Sequence, residues 1–424
     1  MNESALRAAT APPRRPRHAS WHPLGITVAS LQKWAITSTA FFLVALSWSP
    51  LLPGLFKIPF SVMLLTVIVF YAVLTTQAVG LDLRVTLPCI LLGSVCVVVA
   101  TLGNSTVLLF RIAPLPMLIF AAWQTKRIPG LPERLCAWLT VFLSVGIVGA
   151  VVGFVYALDG GQPTLTIFNI DGRENGLYLS TMTNTIWGNV IRPSFIYDEP
   201  GAFSFALCAT VALREILGLR RLPSYLLLVG GMITFSLAHI VITFVYLVFR
   251  IGWLKTSAIL ITILVSLASV AQTEELEFFF NRFSIEDGEL AGDNRSNQLQ
   301  NFFDVVHPSM ILFGDVECHP RLDHTCKEHG DISSSPVTPV YRAGIVALVV
   351  QLVAHAGLAV AFLRSRRFRF SALALTLLLL QRPFFEISGY GFIAFLLIFL
   401  MLKHRPKSTS TIRLPVFSIA KRED

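Results

Sequence analysis

From Trp34 almost to the C-terminus the chain alternates long apolar runs with short polar breaks, and this rhythm dictates its architecture. A helix needs about 20 mostly apolar residues to cross a hydrocarbon core. Within lipid the backbone must satisfy its own hydrogen bonds, which an apolar helix does inside one segment. The apolar runs are 34–52, 59–79, 86–102, 106–123, 136–158, 200–218, 223–236, 237–251, 258–271, 341–363, 371–380 and 387–402; the later ones are less cleanly separated, and two are short enough to be joined differently. The expected fold is therefore all-α: a polytopic membrane protein of about 12 transmembrane helices, with a long outer loop containing short amphipathic helices. The polar intervals divide it into a basic N-terminal tail (1–33), N-terminal helices (34–158), a first outer loop (159–199), central helices (200–271), a large outer loop (272–340), C-terminal helices (341–402) and a second tail (403–424).

Composition sharpens this picture. Of 424 residues 54% are hydrophobic and only 14% charged, with a mean hydropathy of +0.67. A soluble domain carries roughly 25% charged residues, so a freely soluble enzyme is excluded. The first 33 residues are rich in Pro and Arg and lack a small-residue cleavage site, which reads as a tail rather than a removable signal. The net charge of +9 comes from bases that flank apolar runs. Short cytoplasmic loops are enriched in Lys and Arg. Placing Lys126, Arg127, Arg220, Arg221, Lys255, Arg364, Arg366, Arg367, Lys403 and Arg405 inside puts both termini in the cytoplasm and sends 159–199 and 272–340 outward. No nucleic-acid motif accompanies these bases, so a nucleic-acid partner is excluded.

Four cysteines, Cys89, Cys96, Cys136 and Cys208, fall within or at the ends of apolar runs, where a free thiol behaves as a small hydrophobe. Cys318 and Cys326 lie in the large outer loop, and in an oxidising compartment a disulfide is their simplest account. His319, His324 and His329 interleave with them, which admits a metal site as the alternative. That spacing matches no standard zinc motif, and an oxidised pair supplies no thiolates, so no metal is expected.

Chemistry is concentrated before the run that starts at Pro200, in Arg192-Pro-Ser-Phe-Ile-Tyr-Asp-Glu-Pro-Gly-Ala-Phe. Asp198 and Glu199 suit the positive end of a helix and Pro200 suits its first turn. Capping leaves Arg192 unexplained, and also the small Gly201 and Ala202, which let another chain approach closely. The pattern Arg192-x-x-x-x-x-x-Glu199-Pro-x-x-Phe resembles the bacterial O-antigen polymerase and ligase family. Thr234-Phe-Ser236 closes the next apolar run, as a Thr-x-Ser does in that family. Gly292-Asp-Asn-Arg295, an amphipathic stretch and Leu312-Phe-Gly314 are similar to its outer-loop pattern. The resemblance spans 192–344, and the flanking helices agree in kind only.

That resemblance implies a cofactor-free, metal-independent glycosyltransferase of the bacterial inner membrane, acting in the periplasm on sugars carried by undecaprenyl diphosphate. It further implies a flippase and a chain-length regulator of the same pathway as partners, beside membrane lipid. The chemistry is coherent: negative charge builds on the departing diphosphate, and planar guanidinium forks bind phosphate oxygens bidentately. Arg192 and Arg295 are the expected clamps. Glu199 or Asp198 would take the proton of the attacking sugar hydroxyl. A helix N-terminus favours the ionised carboxylate, so the alternative is that Glu199 orients Arg192.

Arg295 would begin a helix over 296–306, where a cation is disfavoured, and this points it toward a ligand. Leu299, Phe302, Phe303 and Val306 at helical spacing would lie against the membrane surface. Arg111, inside an apolar run, either lines the lipid-diphosphate site or snorkels to the outer surface. Arg382 joins it as a substrate-binding candidate and has Glu386 as a nearby partner, and Arg173, with Glu174, is a candidate for acceptor binding. His239 and His355 read as packed histidines. Ligases of the family carry a His shortly before the helix after the long loop; here 331–340 lacks it, which favours a polymerase of O-antigen or exopolysaccharide repeat units over a ligase. A flippase or other transporter is the competing class, but no internal repeat relates the two halves. A purely structural partner would make Arg192 and Arg295 dispensable.

Overall fold

The computed structural model describes residues 28–46, 49, 60–168, 174–187, 190–270, 285–286, 289–290, 294–315, 336–385 and 388–403. Helices α1 (Val28–Phe41), α2 (Phe60–Val79) and α3 (Leu83–Leu102) are followed by α4 (Thr106–Ile112) and α5 (Pro114–Arg127), which form one rod, and then by α6 (Leu131–Leu158). The central group comprises α7 (Pro200–Leu217), α8 (Leu222–Gly230) and α9 (Leu237–Ile251), with a 3-10 turn at Gly231–Thr234 between the last two, and α10 (Trp253–Val270). Beyond it come α11 (Asn294–Val305), α12 (Pro308–Phe313), α13 (Thr338–Arg364), a 3-10 turn at Arg366–Phe368, α14 (Arg369–Gln381) and α15 (Ser388–Lys403).

Each apolar run read from the sequence contains helix. Among the described residues, five segments are long and apolar enough to cross a membrane: Leu83–Leu102, Thr106–Arg127, Leu131–Leu158, Pro200–Leu217 and Thr338–Arg364. Shorter apolar helices cover Met63–Val79, Leu222–Thr234, Leu237–Ile251 and Gly389–Lys403. Several boundaries differ from expectation by a few residues: α1 begins at Val28, inside the stretch read as tail, α6 at Leu131 and α10 at Trp253, and α13 is kinked at Gly344 rather than straight.

The segment between α6 and α7 departs further from the all-α expectation. It contains five short strands, β1 (Leu165–Phe168), β2 (Glu174–Tyr178), β3 (Thr181–Thr183), β4 (Ile186–Trp187) and β5 (Val190–Ile191). The first three form an antiparallel sheet in the order β1-β2-β3, and the last two form a hairpin. Outside a helix the backbone needs other partners for its polar groups, and local antiparallel pairing supplies them.

Helix α7 is the axis around which the rest is built. Every residue from Pro200 to Ile216 is buried, whereas α3 presents Leu87, Ile90, Leu91, Val97 and Val98 outward, as a lipid-facing helix does. In lipid, helices associate through close packing rather than hydrophobic drive. Gly201, Ala202, Ser204, Ala206, Ala209 and Ala212 give α7 the slim profile that this requires, with α6, α8, α9, α14 and α15 packed around it.

Candidate functional site

The segment that carries Arg192 and Glu199 is fixed from both sides before it enters α7. Ser194 donates its hydroxyl to the carbonyls of Met182 and Tyr197, both at 2.7 Å, and Phe195 N–H donates to Thr181 Oγ1 at 2.8 Å. Phe195 adopts a left-handed conformation (φ 56°), which reverses the chain and directs its ring against α6 at Gly146. Tyr197 stacks on Phe203, and burial raises its phenol well above the usual range. The strand module thus delivers Asp198 and Glu199 to the start of α7 in a set position.

Arg192 reaches across to the break between α8 and α9. Its Nη2 donates to the Phe235 carbonyl at 3.0 Å. Phe235 is itself left-handed (φ 48°) and stands between Thr234, whose hydroxyl donates to Gly231 O at 2.8 Å, and Ser236, the residue before α9. Two segments singled out in the sequence, 192–203 and 234–236, therefore meet.

Glu199 is the residue before α7 and forms an ion pair with Arg382, which arrives between α14 and α15. Arg382 is only 6% exposed and donates a 3.3 Å hydrogen bond to the Tyr390 hydroxyl. Burial alone would lower its pKa. The Glu199 carboxylate, with Tyr390, Asp198 and the Glu199 hydrogen bond, outweighs burial and holds it above its ordinary value, so the guanidinium stays charged. Gly201 is what admits it: a Cβ there would stand 2.5 Å from Arg382 Nη2. Arg382 thus finds its acid on α7; Glu386, its expected neighbour, lies outside the described residues.

Arg111 neither points into open lipid nor stands alone. Its Nη1 donates to the carbonyls of Asp315 (3.1 Å) and Arg342 (2.8 Å), clamping the segment just after α12 to α13. The Phe-Gly motif makes the same joint: Phe313 closes on Gly103 at the end of α3, and Asp315 N–H donates to Tyr341 O at 2.6 Å. Gly344 (φ 63°) is obligatory here, because any Cβ would overlap the Leu312 carbonyl. The joint also fixes Arg342, whose guanidinium lies 5.6 Å from the Phe384 ring centroid, and Phe384 packs edge-on against Tyr390, the partner of Arg382.

Arg295 is the second residue of α11. The apolar face expected to lie wholly on the membrane is divided: Phe302 is buried with Met310 and Val340, and Val306 packs against them, while Leu299 and Phe303 face outward. Arg173, Cys318, Cys326 and the three interleaved histidines lie outside the described residues. Cys89, Cys96, Cys136 and Cys208 are free thiols within the helices, and His239 is packed between the Cys208 thiol and the Leu228 carbonyl. Arg342 escaped the sequence reading. Its signal was a cation in the opening turns of an apolar helix, the same dipole mismatch that drew attention to Arg295. No family model, curated protein or solved structure matches this chain.

Proposed function

We propose that this chain is a polysaccharide polymerase of the bacterial inner membrane, joining undecaprenyl-diphosphate-linked repeat units at the periplasmic face. The observation that carries the reading is the convergence at one end of α7. There the Arg192 segment binds the Thr234–Ser236 turn, Glu199 holds Arg382, and the Leu312-Phe-Gly314 motif seats Arg342 beside Phe384 and Tyr390. A site for a lipid diphosphate needs several preorganised cations at one membrane surface, and this end of the bundle collects them.

In the reaction, the bond between the anomeric carbon and the diphosphate oxygen of the donor breaks. A hydroxyl of the fresh lipid-linked unit forms the new glycosidic bond, its proton passes to a carboxylate, and undecaprenyl diphosphate leaves with the electron pair. Arg192 and Arg295 stabilise the diphosphate, with Arg111, Arg173 and Arg382 contributing to the site. Asp198 or Glu199 receives the proton; both carboxylates act on Arg382, Glu199 through its ion pair. The opposite end of the bundle, crowded with Arg127, Arg220, Arg221, Arg364, Arg366 and Lys403, supports a cytoplasmic assignment for that end and for both termini. About twelve crossings follow from this layout.

The test is reconstitution in liposomes with the repeat unit of the source cells, in the presence of chelator. Wild type yields a ladder of lengthening glycans, and Arg192→Ala or Arg295→Ala abolishes it while retaining the wild-type melting profile. A single product on lipid A core in place of a ladder would identify a ligase, and movement of unreacted substrate across the bilayer would identify a flippase.

A further inference from the structure

At the far end of α7 a pocket of about 280 Å³ opens between its last turn, α9 and the 3-10 turn Arg366–Phe368. Arg221, Arg250, Arg366 and Arg367 line it together with a single acid, Glu215. That acid is already engaged: it pairs with Arg250 and accepts a 3.0 Å hydrogen bond from the Tyr246 hydroxyl. Capping accounts for part of this charge, because cations suit a helix C-terminus and Arg367 donates to the Ile216 carbonyl at 3.0 Å. Arg214, nearby and buried, is consumed by Ser224, Thr140 and the Arg220 carbonyl.

Capping does not require four guanidiniums around one concavity with one neutralised acid. Like charges held together repel unless an anion joins them. Planar guanidinium forks match phosphate oxygens, and basic pockets between helices at a membrane surface suit phospholipid headgroups. We propose that this pocket binds the phosphate group of an anionic lipid headgroup. A lipid source is favoured over free phosphate by the walls: Phe249 and Phe370 line the same pocket, and Phe249 is 42% exposed on the outer face of α9, where an acyl chain would run. Bound there, the headgroup ties α7, α9 and α14 together at the end remote from Arg382.

The proposal is tested on the full chain purified in a neutral detergent, by following Tm against short-chain phosphatidylglycerol, short-chain phosphatidylcholine and inorganic phosphate at matched ionic strength. Phosphatidylglycerol raises Tm in a saturable manner and phosphatidylcholine does not. Arg221→Gln/Arg366→Gln, two exposed side chains, keeps the unliganded Tm and weakens the lipid response at least tenfold. An equal response to inorganic phosphate, lost in the same variant, supports the phosphate site while assigning its source to solution. No response to either anion beyond the salt control, or a full response in the double variant, overturns the proposal.

Discussion

The two ends of α7 carry the same kind of ion pair in opposite electrostatic settings. At its start, Glu199 holds Arg382 where the helix dipole favours anions and opposes cations. At its finish, Glu215 holds Arg250 where the dipole favours cations, and among the described residues Arg221, Arg366 and Arg367 gather there without individual acids. A surplus of arginine is easily tolerated at the second end. At the first, a buried cation persists only because Glu199, Tyr390 and Asp198 surround it and because Gly201 leaves room. A charge kept in the less favourable setting therefore depends on its immediate partners, and the first pair is the more sensitive of the two to their loss.

The largest loss is expected when the first pair is split. Arg382→Ala leaves Glu199 without its cation, and breaking a buried pair costs roughly 3–5 kcal/mol; with Glu199 still 30% exposed, roughly 2–4 kcal/mol is expected. Unfolding in detergent checks this, and Arg382→Met/Glu199→Gln should recover most of the loss. Next in size, Gly344→Ala forces a Cβ into the Leu312 carbonyl at positive φ and should cost roughly 2 kcal/mol. Faster proteolysis within 294–315 would report that this segment has detached from α13.

At the second end, Tyr246→Phe removes one hydrogen bond to Glu215 and leaves the Arg250 pair, so about 1 kcal/mol is expected in the same unfolding measurement. The smallest effect is at the α2–α3 turn. There the Trp123 indole N–H, 3.1 Å from Asp82, helps hold its carboxyl below the usual value of 3.8. A depressed folded-state pKa contributes stability that is present above 3.8 and lost as pH falls through the lower folded value. Tryptophan emission should therefore titrate in acid below that value, and Asp82→Asn should remove the transition.

Helix positions were legible because long apolar runs stand out against their short polar breaks. The five strands of 165–191 were not, since they form no long apolar run and residues such as Leu165-Thr-Ile-Phe are too few to stand out from loop. Arg192 and Glu199 stood out by their unusual placement beside Pro200. The pairing did not: Phe235 and Arg382, each already noted in the sequence, lie 43 and 183 positions away, and no local pattern encodes which carboxylate a distant guanidinium will meet. Leu299 and Phe303 kept the outward face expected of α11, while Phe302 turned inward because Met310 and Val340 offer it a drier contact.

Whether the start of α7 is the reacting end is read most directly from the glycan ladder in liposomes with Gly201→Ala. This change adds one methyl group, which displaces Arg382 from its seat without removing any charge. Asp82→Asn, at the other end of the bundle, serves as the comparison. The account predicts that Gly201→Ala loses the ladder while its Tm stays within a few degrees of wild type, and that Asp82→Asn polymerises normally. A full ladder from Gly201→Ala, with Arg382 shown to be displaced, would contradict it.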